Sequence, residues 1–324
     1  MAQKRIVFIV GPTAVGKTAV SLILARMLNS EIVNADAMQI YREVKILNNK
    51  PDPQALRKVV HHLIGTRSVD QLFDVAAYNK EARKAIRAIH NKGKIPLIVG
   101  GSGLYVRVLL DGIFAQESDA PVIRQRLEQE VRIKGPQWLY NRLKQVDTQA
   151  AQRIHPNDVR RIVRALEVYE SQKQPISKLQ KNRSGLWDQH DIALLGLNMQ
   201  RQDLIDRINQ RVEHMIREGA VEEVRSLSKR RLSRTAQGMI GIKEIQGHLD
   251  GVYDLERAQD LIKLHTRQYA KRQMTWFRQE KRLQWVTVKS GQSPDKIAGN
   301  LMNEMDSCFR QKKIMDAEIS WKKS

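Results

Sequence analysis

Residues 11–18 read Gly-Pro-Thr-Ala-Val-Gly-Lys-Thr, a Gly-x-x-x-x-Gly-Lys-Thr loop between an apolar run at 6–10 and a helix-like stretch at 19–28. No other feature restricts the fold as strongly, because such a loop works only where a buried strand delivers it to the start of a helix. Gly11 and Gly16 permit backbone angles that turn successive N–H groups inward toward phosphate oxygens. Gly11, Pro12, Thr13, Ala14, Val15, Gly16, Lys17 and Thr18 are therefore expected to cradle phosphate, with Lys17 on the terminal phosphates and the Thr18 hydroxyl on Mg²⁺. The loop alone does not say which phosphate compound it holds.

Further apolar runs at 95–99 and 192–197 read as buried parallel strands, and the Ala- and Ile-rich stretch 75–89 has helical spacing. Strand and helix in alternation, with the phosphate loop after the first strand, predict an α/β doubly wound parallel sheet of the P-loop NTPase type. The strand pattern stops after Leu110 and resumes near Ile192. Between them Ile123, Leu127 and Val131 recur every four residues, and Val159, Ile162, Val163, Leu166 and Tyr169 mark one helix face with Arg160, Arg161 and Arg164 on the other. Residues 116–188 are thus expected to form a helical insertion, with 180–189 its return linker. The core comprises 1–115 and 189–303, with helices at 201–219, 221–229 and 258–279 and a closing strand at 283–288. The stretch 304–324 reads as a C-terminal tail.

The 324 residues carry 56 Lys and Arg against 35 Asp and Glu, a formal charge of +21. Such an excess favours a polyanionic partner, either nucleic acid or an anionic membrane surface. Cys308 is the only cysteine, which excludes internal disulfides and cysteine zinc sites. No apolar stretch approaches the roughly 18–20 residues that span a bilayer. The first strand begins at once, leaving no room for a signal peptide, so a cytoplasmic protein is expected.

Asp36 follows a strand-like segment beginning at Glu31. At the carboxyl end of a strand in a doubly wound sheet it falls near the phosphate loop, as a Mg²⁺ ligand or a general base. Gly100-Gly101-Ser102-Gly103 follows another core strand and offers the Ser102 hydroxyl. His61-His62 lacks a third ligand at metal spacing and reads as a packing or hydrogen-bonding pair. In 266–278, Arg267, Lys271 and Arg278 share one helix face, whereas Tyr269 and Trp276 share another beside Arg272. The basic stripe is expected to face RNA and the aromatics to enter the core.

Together these segments resemble the tRNA dimethylallyltransferases. They are 11–18, 35–41 with Asp36, 61–64, 100–105, His155-Pro156-Asn157-Asp158 with the helix after it, 240–244 and 266–278. They keep the family's order to about Trp285. The resemblance implies dimethylallyl transfer to the exocyclic N6 of adenosine-37, with the diphosphate of dimethylallyl diphosphate in the loop and Mg²⁺ beside it. It implies catalytic roles for Asp36, as proton acceptor, and Ser102, and tRNA contacts at Asp36, Ala37, Met38, Gln39, Ser102, Arg124, Arg160, Arg161 and Arg164. The insertion becomes a clamp on the anticodon stem-loop, and a monomer is the simplest state. The chain departs from the family at four places: Ser102 replaces threonine, Ala37 a serine, Leu47-Asn48-Asn49 a Gly-Thr-Ala-like run, and Gly238 a Gln or Arg. The competing readings are a small-molecule kinase, a prenyltransferase of free adenylates, and an RNA-binding NTPase. The first two leave the charge and the arginine-faced insertion without a purpose.

Overall fold

The computed structural model describes residues 3–113, 120–181 and 183–321. Six strands form one parallel sheet: β1 Arg5–Val10, β2 Glu31–Asn34, β3 His61–His62, β4 Pro96–Gly100, β5 Asp191–Met199 and β6 Gln284–Val288. Their order across the sheet is β3-β2-β4-β1-β5-β6. Ile6, Val7, Phe8, Ile9 and Val10 are all fully buried, as an unbroken apolar strand must be when helices cover both faces. Val10 is level with Gly100 of β4 and Gly196 of β5, and Asn34 with Val99. The loops after β1, β2 and β4 therefore leave the sheet at one edge. The chain departs from β1 to one side first and returns on the other at β5, so β1 ends at the topological switch point where open α/β sheets bind ligands.

Five helix starts are closed by aspartates. Asp52, Asp74, Asp147, Asp158 and Asp254 each accept a backbone N–H of the helix they precede, satisfying donors that a helix start leaves unpaired. The helix Lys17–Met27 differs: it starts at Gly16, with φ of 102°, and carries no side-chain cap and no acidic residue in its first turn. Its free amides and dipole face whatever the phosphate loop holds.

Two compact units divide the chain, Met1–Leu110 with Trp187–Ser324 and Asp111–Leu186. The expected boundary at 115/116 falls at 114–119, outside the described residues. The smaller unit is helical: Ala120–Lys134, Pro136–Val146, Thr148–Arg153, Val159–Gln172 and Ile176–Lys181. Leu127, Leu139, Leu143, Ile162 and Leu166 form its apolar centre. Glu167, fully buried beside them, is ion-paired to Arg124 at 2.6 Å and to Arg164.

The segment from 304 is not a tail. It continues the helix Pro294–Trp321, whose Ile297, Ala298, Leu301, Met305 and Phe309 join the core under β1 and β5. These apolar residues recur at helical spacing straight through position 303, where the charged neighbours disguise the pattern. Lys322, Lys323 and Ser324 lie outside the described residues. Cys308 packs partly buried against the same core. No described helix is long and apolar enough to cross a membrane.

Phe309 is 2% exposed, with the Arg5 guanidinium 4.6 Å from its ring centre. Phe309→Ala is expected to cost about 3–5 kcal/mol of stability, the range for a buried aromatic truncated in a packed core. Denaturant unfolding checks this; a loss below about 1 kcal/mol would mean that the helix end only rests on the domain.

Candidate active site at the carboxyl edge of the sheet

The phosphate loop turns sharply out of β1. Gly11 has φ of 146°, and a Cβ there would lie 2.5 Å from the Leu197 carbonyl oxygen, so glycine is required. Lys17 Nζ donates to the Gly11 and Pro12 carbonyls at 3.0 and 2.7 Å, holding its charge over the loop. Burial lowers the Lys17 pKa to about 8, with Asp36 opposing that shift and Arg211 adding to it. Arg211 Nη1 donates to Thr13 Oγ1 at 2.9 Å. Burial lowers its pKa as well, against the pull of Asp36.

Asp36 leaves β2 in a tight turn. Its N–H donates to Asn34 Oδ1 at 3.1 Å, and its Oδ1 accepts the Met38 N–H at 2.9 Å. Across from it the turn after β4 supplies Ser102, whose Oγ accepts the Ala37 N–H at 3.0 Å. Tyr269 of the helix Leu255–Arg278 stands near both. Its phenol is pushed above the ordinary range by burial first and then by the Asp36 carboxylate, against opposing interactions with Ser102, Arg272 and Gln273.

Two cavities meet at Thr13, Asp36, Asn48 and Arg211. The first, about 480 Å³, is polar and cationic, with Lys17, Thr18, Arg207 and Arg211 in its wall. The second, about 290 Å³, is richer in aliphatic and thioether side chains, with Met38, Leu47, Val212, Met215, Met239 and Ile240 in its wall beside Arg211 and Arg272. A charged chamber opening past a carboxylate into an apolar one can hold an anionic leaving group at one end and an uncharged reacting group at the other.

The loop that departs from the family pattern is firmly held. Asn48 Nδ2 donates to the Met38 and Val44 carbonyls, and Gln39 Nε2 to the Asn48 and Asn49 carbonyls. The Glu223 carboxylate accepts the N–H groups of Lys45, Ile46 and Leu47 at 2.6, 3.0 and 3.0 Å. Gly238 lines the apolar cavity, and a Cβ there would meet nothing within 4 Å.

The loop, Asp36, Ala37, Met38, Gln39 and Ser102 thus converge on one edge. The basic stripe is less uniform than its spacing predicts. Lys271 and Arg278 are exposed, whereas half-buried Arg267 donates to Asn209 Oδ1 at 2.9 Å on the helix Arg201–Arg217. Trp276 packs on Gly103, where a Cβ would fall 2.4 Å from its ring, and Arg107 lies 5.0 Å over its face. Phe277 is fully buried. In the insertion, Arg160 and Arg161 are exposed; Arg124 and Arg164 are engaged with Glu167.

His62 bonds to Glu31 at 2.9 Å and His61 to the Val59 carbonyl at 2.8 Å. Among the described residues no group of three His, Cys, Asp or Glu side chains could hold a metal. Sequence reasoning missed Arg207 and Arg211. Their i, i+4 spacing on the amphipathic helix was the available signal, but a solvated polar face has the same pattern.

Residues 39–280 match the family model described as IPP transferase. The tRNA dimethylallyltransferase of Alkaliphilus oremlandii is 40% identical over 95% of this chain and 99% of its own. That of Carboxydothermus hydrogenoformans is 42% identical over 93% and 97%. Among solved structures, the tRNA isopentenylpyrophosphate transferase of Bacillus halodurans superposes with a TM-score of 0.68 at 35% identity, covering 96% of this chain and 99% of its own. A eukaryotic dimethylallyltransferase acting on tRNA gives 0.75 at 27% identity, covering 98% and 80%. The matched span begins just past Asp36, and the relatives extend the likeness along nearly the whole chain; with the phosphate loop, the Asp36 turn and the apolar chamber on one sheet edge, the chain belongs to the IPP transferase family.

Proposed function

We propose that this chain transfers the dimethylallyl group of dimethylallyl diphosphate to the exocyclic N6 of adenosine-37 in tRNA, releasing diphosphate. The observation that carries the reading is the junction of the cationic and apolar chambers at Asp36. The diphosphate lies in the cationic chamber against the loop amides, Lys17, Arg207 and Arg211. The allylic carbon then reaches the junction, and the base, drawn from its stack, presents N6 beside Asp36. The N6–carbon bond forms as the carbon–oxygen bond breaks. The bonding pair leaves on the diphosphate oxygen, and Asp36 accepts the N6 proton. Ser102 keeps the Asp36 turn in place through Ala37. The fixed cations stabilise the charge that grows on the departing oxygen.

The Thr18 hydroxyl is an oxygen donor in the wall of the same chamber as Lys17. A single hydroxyl ligand fits Mg²⁺, which takes few protein ligands and completes its shell with substrate phosphates and water. When bound, Mg²⁺ would neutralise the diphosphate as a leaving group.

The partner is the anticodon stem-loop of cytoplasmic tRNA, contacted by the insertion and by Lys271 and Arg278, with the enzyme acting as a monomer. The exposed Arg160 and Arg161 are the insertion's best phosphate contacts: Arg161's pair with Asp158 lies at the surface, whereas Arg124 and Arg164 hold buried Glu167. A small-molecule kinase on this core would have no use for that surface.

Incubation with Mg²⁺, labelled dimethylallyl diphosphate and unmodified tRNA bearing an A-A-A run in the anticodon loop is expected to label the tRNA. Label moving to AMP instead, or consumption of ATP, overturns the assignment. Asp36→Asn is expected to lower kcat by about 10²–10⁴-fold, the usual contribution of a general base. Filter binding should find its tRNA affinity unchanged; an equal loss there would make Asp36 a docking residue.

The Lys17 pKa of about 8 gives binding a pH dependence. Below that value the free enzyme already carries the ammonium that the diphosphate needs. Above it each binding event must also take up a proton, so affinity falls as pH rises through about 8. Titrating dimethylallyl diphosphate without RNA tests this; Lys17→Met should bind weakly and lose the pH dependence.

Arg160→Ala with Arg161→Ala should reduce the slope of log K for tRNA against log salt by about one for each phosphate left without its arginine. An unchanged slope would remove both arginines from the interface.

A further inference from the structure

Gln273, in the helix Leu255–Arg278, is 5% exposed and has no part in the chemistry above. Its Oε1 accepts the Thr13 N–H at 2.8 Å, and its Nε2 donates to the Gly101 carbonyl at 2.9 Å. A backbone N–H needs an acceptor and a carbonyl a donor, so only this orientation of the amide satisfies both. The contact with the second loop is close: a Cβ on Gly101 would lie 2.3 Å from Nε2. One side chain thus spans the phosphate loop and the turn after β4.

The bonds continue in both directions. Thr13 accepts from Arg211, which lines both chambers. Gly101 precedes Ser102, which accepts from Ala37 beside Asp36. The leaving group is fixed through the first loop and the acceptor amine through the second. Beyond the pairing of β1 with β4, which brings Val10 level with Gly100, Gln273 is the side chain that ties the two loops together.

We infer that Gln273 is a positioning residue for prenyl transfer, holding the diphosphate loop at the reacting distance from the Asp36–Ser102 turn. The inference rests on the function proposed above. Displacement needs the reacting atoms about 3–3.5 Å apart, and a shift of about 1 Å can cost 10²-fold in rate. Binding of either substrate alone needs no such match between the loops. Loss of the bridge should therefore appear in kcat and leave binding alone.

Gln273→Met keeps the length and removes both bonds. Its kcat per folded molecule, with the folded fraction read from thermal melts, is expected to fall about 10–100-fold. The KM for dimethylallyl diphosphate and the tRNA dissociation constant should stay within about threefold, where a general loss of structure would raise both. Gly101→Ala drives the amide away from the other side and should give the same pattern. The double variant should lose no more than the worse single, because both remove one bridge. Gln273→Glu keeps the acceptor for Thr13 and loses the donor to Gly101; it should fall between Met and wild type, and it decides the matter if the Met variant does not fold. A kcat within about threefold of wild type, a loss carried wholly by KM, or multiplying losses in the double variant would overturn the inference. Failure of the wild-type protein to prenylate tRNA would instead defeat the proposed function itself.

Discussion

One backbone contact underlies the site. Gly100 ends β4 so close to β2 that a Cβ on it would lie 2.2 Å from the Ala35 carbonyl. At that separation Ala35 N–H reaches the Val99 carbonyl at 2.7 Å, and Ser102 N–H reaches the Ala35 carbonyl at 3.1 Å. Asp36 is the next residue, and its neighbour Ala37 is bonded to Ser102 in turn. The direction of the Asp36 carboxylate is therefore set by strand pairing on one side and a hydroxyl on the other. If Asp36 is the base, as proposed, a carboxylate held in this way needs little reorganisation when the reaction begins.

The charges around it are arranged at a cost that substrate can offset. Lys17 and Arg211 are both desolvated, and Asp36 favours the charged form of each. Two buried cations sharing one carboxylate leave an excess of positive charge at the mouth of an uncapped helix. The proposed diphosphate would complete that balance, in keeping with the helix Lys17–Met27 lacking a capping aspartate.

What the sequence disclosed follows from the range of the forces involved. The phosphate loop, β1 and the Asp36 turn are local: glycine spacing and an unbroken apolar run specify them within a few residues. The roles of Asp36 and Ser102 came from the family resemblance, since a carboxylate after a strand has several uses. Arg207, Arg211 and Gln273 were hidden because burial of a helix's polar face is decided by what packs on it, at separations of up to 260 residues in the Thr13–Gln273 bond. Arg124 and Arg164 illustrate the reverse. Arg164 looks solvated by spacing, yet Glu167 from the apolar side of its helix turns its charge, and that of Arg124, inward.

The same geometry separates carbon transfer from phosphoryl transfer on this loop. A kinase directs its nucleophile at the terminal phosphorus and needs polar contacts around it. Here Met38, Met215, Met239, Val212 and Ile240 make up much of the wall beyond Asp36, beside Arg211 and Arg272. An allylic carbon leaving diphosphate acquires positive charge, and in water it would be captured by solvent. Polarizable thioethers and aliphatic side chains on this wall offer water few partners and tolerate that charge. In the proposed reaction the amine presented beside Asp36 is then the nucleophile within reach, and selectivity for nitrogen over water would follow from the lining of the chamber as much as from the base.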